Sequence, residues 1–133
     1  MFGMSGLVEV MVGAAAFFVV GAIWYGALFG KLWQKAAGLT DEEASSGNQG
    51  VIFGLCYLFE LLIAAVLWHG IVRSGASDVA VMMMAVGFGA CVMTPAIGIA
   101  YLFQRKPFTL FALDAAHFIL GMAALGGTFV LLR

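Results

Sequence analysis

Four long apolar runs, about 6–29, 51–72, 79–103 and 108–132, take up most of this 133-residue chain. At about 1.5 Å of rise per residue, each is long enough as a helix to cross a hydrocarbon core of about 30 Å. In lipid every backbone N–H and C=O must be satisfied within the protein, which leaves helices or closed barrels. The runs are about twice the length of a barrel strand, and too little chain remains to close a barrel. The sequence therefore predicts an all-α, four-helix transmembrane bundle, with residues 1–133 forming a single integral membrane domain.

Composition points the same way. Hydrophobic residues make up 64% of the chain and charged ones 10%, too little polar material to coat a water-facing surface or to keep a chain disordered. The first run has no Lys or Arg ahead of it and no small-x-small cleavage site, so it is expected to stay as a helix rather than be removed as a leader. A net charge of −1 gives no reason to expect nucleic acid. Cys56 and Cys91 lie inside apolar runs without metal-ligand spacing. Met82, Met83 and Met84 are consecutive, so on a helix they point in different directions. No metal and no cofactor is expected.

The connections carry their own signals. Lys31, Trp33 and Lys35 form an interfacial belt that ends at Gly38, a residue suited to a helix C-terminus. Thr40 and Glu43 have capping-box spacing ahead of the Ser45-Ser46-Gly47-Asn48 cluster. Arg73 to Asp78 reads as a polar turn, and Pro107 is placed to open the last helix. Loops 30–50 and 104–107 hold Lys31, Lys35, Arg105 and Lys106, against Arg73 and Arg133 on the other side. The positive-inside bias then puts both loops in the cytoplasm and both termini outside, in a bacterial inner membrane.

A carboxylate at the bilayer centre costs about 2.5–3.5 kcal/mol on insertion scales, so each one there needs a reason. Glu60 sits in Tyr57-Leu58-Phe59-Glu60-Leu61-Leu62, and Asp114 and His117 share one helix face. Counted from the loop end of their helices, Glu60 and His117 are both about 13 Å deep. Thr94, Pro95, Trp24 and Tyr25 fall at similar depth, and Pro95 frees a carbonyl near Cys91. These seven residues are the candidate intramembrane polar layer. They could form a hydrogen-bonded network that locks helix register, a proton or ion relay, or separate positions that never meet. Glu9 and His69 lie near the far ends of their helices, where water is within reach.

Small residues recur at helical spacing in Ala22-Gly26-Gly30, Ala85-Gly89 and Ala123-Gly127. Such rows allow close helix approach, within a chain or between copies. A faint echo links Gly21-Ala22-Ile23-Trp24-Tyr25 to Gly98-Ile99-Ala100-Tyr101.

The segment Trp24-Tyr25-Gly26-Ala27-Leu28-Phe29-Gly30-Lys31-Leu32-Trp33, together with Pro95 and Asp114-Ala115-Ala116-His117, resembles the signature of a bacterial membrane family catalogued as domain of unknown function 1761. The resemblance spans essentially the whole chain. It implies four helices, a proline in the third and an Asp-x-x-His pattern in the fourth. Where that family often has Pro or Ser after the Trp-Tyr pair, this chain has Gly26-Ala27. The resemblance brings no activity, substrate or catalytic residue.

With no nucleophile–base spacing, phosphate loop or metal motif, an enzyme is not expected. The expected function is helix packing in the lipid bilayer, as a homo-oligomer or as an accessory subunit of a larger membrane complex. The alternative is a proton- or ion-coupled transporter of small solutes that uses the Glu/Asp/His layer.

Overall fold

The computed structural model describes residues 4–133, with side chains from residue 6 onward. Helix α1 (Met4–Ala22) runs into a π-helical turn, Ile23–Leu28, and a short α2 (Gly30–Ala37) follows. After α3 (Asp41–Ser45) come α4 (Gln49–Ser74) and α5 (Asp78–Phe88). A second π-helical turn, Gly89–Met93, joins α5 to α6 (Thr94–Gln104), and α7 (Phe108–Leu132) completes the chain. Four continuous spans, Gly6–Leu28, Gln49–Ser74, Asp78–Gln104 and Phe108–Leu132, are long and apolar enough to cross a membrane.

Local chemistry sets the helix limits. Gly38 and Gly75 take left-handed conformations that close α2 and α4. Thr40 and Glu43 form both halves of a capping box at α3. Asn48 and Ser77 accept hydrogen bonds from the Val51 and Ala80 N–H groups to start α4 and α5. Arg105 also adopts a positive φ of 57°. Its guanidinium donates to the Leu102 and Phe103 carbonyls at 3.2 and 3.1 Å, which offsets the strain of that conformation. Pro107 occupies the capping position just before the first residue of α7.

Helix α7 is central. It packs along α1 on one side and along α5 and the second π turn on the other, while α4 leans mainly on α1. Lipid tails are as apolar as leucine, so these contacts rest on close fit rather than on escape from water. The fit is tightest toward the end where α1 begins and α7 finishes. There Val10, Ala14 and Phe17 meet Ala64, Leu67 and Ile71, Val81 and Ala85, and Met122, Leu125 and Phe129. A Cβ on Gly89 would lie 3.0 Å from the Ile119 Cα, so the start of the second π turn and α7 touch almost backbone to backbone. Arg133 closes this end, with Nε 3.3 Å from Asp78 and a hydrogen bond to the Ala76 carbonyl.

Toward the other end the chain opens. The first half of α4 meets α1 at Phe53 and Tyr57, which stand edge-on to Phe18, and the Tyr57 hydroxyl donates to the Met11 carbonyl at 2.9 Å, while Val51, Ile52, Leu55, Leu58 and Phe59 are exposed. The polar residues of the membrane interior lie beside this opening.

Candidate functional site

The first π turn starts the site. The Phe29 N–H donates to the Trp24 carbonyl, five residues back, at 2.8 Å. One extra residue in the turn changes which way the following side chains face, and π turns recur at functional sites for that reason. Trp24 and Tyr25 consequently both reach α7. Trp24 Nε1 donates to the Leu113 carbonyl at 3.1 Å, and the Tyr25 hydroxyl donates to Asp114 Oδ1. Gly30 makes this turn possible, because a Cβ there would lie 2.2 Å from the Tyr25 carbonyl oxygen.

From the opposite side, the Tyr101 hydroxyl of α6 donates to Asp114 Oδ2. Both oxygens of a buried carboxylate are thus held by phenols from different helices. Asp114 therefore clasps α1 and α6 onto α7.

One turn further along α7, His117 faces a different environment. Its ring stands edge-on to Tyr25 and Phe118, each 4.8 Å away between centroids, and to Phe17 at 5.6 Å. Gly21 leaves room for it: a Cβ there would lie 2.9 Å from His117 Nε2. His117 is 8% exposed, and among the described residues neither ring nitrogen has a hydrogen-bond partner. Glu60, 9% exposed on α4, likewise has an unpartnered Oε1. Buried polar atoms without partners are uncommon and call for an explanation.

Glu60 and His117 meet on one feature. Both line an open-sided cavity of about 480 Å³ between α1, α4 and α7, together with Phe18, Gly21, Ala22, Tyr25, Gly26, Phe53 and Cys56. That volume is within the usual range of small-molecule sites, about 300–1,000 Å³. A smaller cavity of about 220 Å³ between α4, the second π turn and α7 has only apolar side chains on its walls. Among the described residues, no three His, Cys, Asp or Glu side chains gather closely enough to hold a metal ion.

The seven residues of the expected layer thus fall into three places. Trp24, Tyr25 and Asp114 form the clasp, and Glu60 and His117 line the cavity with Tyr25 shared between them. Thr94 and Pro95 lie apart from both. Thr94 Oγ1 donates to the Gly89 carbonyl at 2.8 Å and the Thr94 N–H bonds the same oxygen, so this pair shapes the π turn that precedes the proline. The small-residue rows divide as well. Ala85 and Gly89 are buried against α7, whereas a Cβ on Gly26 or Gly127 would meet nothing within 4 Å. Ala22 is exposed, and Ala123 is half-buried.

Two departures concern residues read differently from sequence. Glu9 is buried at 6% exposure and Oε2 has no partner among the described residues, while His69 is exposed. Glu9 shares the stripe of Gly13 and Phe17, four and eight residues on, which faces the interior. Tyr101, second donor to Asp114, stands outside the expected layer. Its only trace in the sequence is the echo that sets it against Tyr25.

The sequence model of a family described as protein of unknown function (DUF1761) matches residues 8–130. This chain belongs to that family. The DUF1761 match takes in the Trp-Tyr turn, Glu60, Tyr101 and the Asp-x-x-His face together. Neither a curated protein nor a solved structure matches the chain.

Proposed function

We propose that this protein is a proton-coupled carrier of a small solute, working from the cavity between α1, α4 and α7. One observation carries the reading: Glu60 and His117 are both buried, both lack partners among the described residues and both line that cavity. A purely structural network would have paired these groups with each other or with the backbone, as it has paired Asp114. Ionisable side chains on a cavity wall inside a membrane are the usual parts of a proton or solute path. The packed half of the chain supplies a rigid frame, and the open half supplies access. We place loops 30–50 and 104–107 in the cytoplasm of a bacterial inner membrane, so that the cavity lies nearer the cytoplasmic face.

The test is reconstitution in proteoliposomes that carry an inside-acid gradient and a trapped pH dye. A panel of organic amines, amino acids and monocarboxylates is added outside, one at a time. At least one class should draw protons out through the wild type, and Glu60→Gln and His117→Ala should lose that flux while remaining helical and monodisperse. If no class moves protons, or if both variants behave as wild type, the carrier reading fails.

A second reading rests on a different feature. Away from the cavity, the first half of α4 presents a broad exposed apolar surface, with Val51, Leu58 and Phe59 each more than half exposed. Such a helix suits an interface with a second copy or with a larger membrane complex. Native mass spectrometry of gently extracted membranes should then show a discrete assembly, and a bare monomer would count against it.

A further inference from the structure

We infer that the cavity takes a small lipophilic monocation, with Glu60 as its counter-ion, and that the cation enters in exchange for one proton from the Glu60 carboxyl. This rests on the carrier reading above and names the substrate class for the same site.

The charge of the walls sets the first limit. Glu60 is the one acidic side chain on them, and neither Lys nor Arg lines the cavity. An anion would find no Lys or Arg there to balance its charge. The other titratable neighbours are Tyr25 from α1, Cys56 from α4 and His117 from α7. Asp114 does not compete for the cation, because both of its oxygens are engaged by Tyr25 and Tyr101.

Polarity sets the second limit. Apart from Glu60, the walls offer His117, the Tyr25 hydroxyl and the Cys56 thiol, among apolar and aromatic neighbours. A sugar or an amino acid would leave several of its own polar groups unpaired there, which is costly. A cation with apolar substituents asks for little hydrogen bonding. Phe18 and Phe53 stand edge-to-face with centroids 6.2 Å apart and offer ring surface to a positive charge.

The exchange follows from solvation. An ionised Glu60 without a counter-ion would be unfavourable in this apolar layer, so the carboxyl is neutral when the cavity is empty. Cation arrival removes the proton from the carboxyl oxygen, and cation release returns it. One positive charge replaces another, and no covalent bond changes apart from the O–H bond of Glu60.

The test uses two ions of nearly the same shape and opposite charge, tetraphenylphosphonium and tetraphenylborate. The phosphonium has no acidic proton, so any proton released comes from the protein. Binding to the purified full-length protein is measured in weakly buffered detergent solution, along with the accompanying pH change. The wild type should bind the phosphonium and release about one proton per cation, and it should bind tetraphenylborate no better than empty micelles do. Glu60→Gln should weaken phosphonium binding at least tenfold and abolish proton release, whereas Glu60→Asp should keep both. Equal binding of the two ions, unchanged binding by Glu60→Gln, or binding without proton release would overturn the inference. If the phosphonium fails to bind while amino acids or monocarboxylates still drive Glu60-dependent proton flux in proteoliposomes, the substrate class is wrong and the carrier reading survives. If nothing binds and nothing drives flux, both fall.

Discussion

Tyr25 and Asp114, 89 positions apart, are joined by a hydrogen bond that ties the π turn following α1 to the first third of α7. Tyr101 completes the arrangement from α6. Removing one donor leaves a buried carboxylate oxygen unpartnered, so Tyr25→Phe and Tyr101→Phe should each cost about 1–3 kcal/mol. The double variant should lose more than the sum of the two, because the second removal leaves the buried carboxyl with neither donor. Reversible unfolding in mixed micelles measures all three. Single variants as stable as wild type would mean that Asp114 finds other donors.

The first π turn depends on Gly30. A Cβ there would come within 2.2 Å of the Tyr25 carbonyl oxygen, and backbone cannot yield as a flexible side chain can. Gly30→Ala should therefore destabilise by about 1–3 kcal/mol, the range of overpacked sites, and should release the Tyr25 contact. Gly26→Ala, four residues earlier and facing open space, should stay within about 1 kcal/mol of wild type. Tyr25 fluorescence or backbone chemical shifts across residues 23–30 distinguish the two outcomes.

What the sequence makes legible, and what it hides, follows from the range of each interaction. The four spans and the all-α class are carried by composition and run length. The caps at Gly38, Thr40 and Glu43 are local and readable within a few residues. Pro95 announces its own irregularity. The turn at Ile23–Leu28 is not legible, because a glycine at 26 or 30 reads equally well as a small packing residue. What holds the turn is the close approach of Gly30 to the Tyr25 carbonyl and the bonds of Trp24 and Tyr25 to Leu113 and Asp114, 89 positions away. Depth along a helix can be counted, which brings Glu60, Asp114 and His117 to one layer. Rotation about a helix axis cannot be counted from apolar residues that cover every face. Hence the separation of Asp114 from Glu60, the role of Tyr101 and the burial of Glu9 emerge only in three dimensions.

Gly21 is a steric test of the cavity. A methyl group there would lie 2.9 Å from His117 Nε2 and would push the imidazole toward the open space. Gly21→Ala should keep the fold and lower solute-driven proton flux about tenfold, equivalent to about 1.4 kcal/mol. Unchanged flux would show that the position of His117 is immaterial.

The connection between α2 and α4 has a pH dependence of its own. The Thr40 backbone N–H, and secondarily its hydroxyl, holds the Glu43 carboxyl below its ordinary value. A carboxyl lowered in the folded state stabilises above its unfolded value, about 4.3, and that contribution fades as pH falls through the lower folded value. Hydrogen exchange at residues 40–46 should accelerate, after correction for intrinsic rates, as pH drops below about 4.3. Thr40→Ala should loosen the same residues at neutral pH, by about 0.5–2 kcal/mol for a lost cap. Protection unaffected by either change would place the order of this segment elsewhere.

The central claim is a division of labour between two carboxyls: Glu60 works on the cavity, and Asp114 holds the helices. Dicyclohexylcarbodiimide reacts with protonated carboxyls in apolar surroundings, and peptide mass spectrometry locates the adduct. Applied to the wild-type protein in its own membranes, it should label Glu60 and leave Asp114, whose oxygens are both occupied by phenols, unmodified. Labelling at Asp114 with Glu60 untouched would contradict the account.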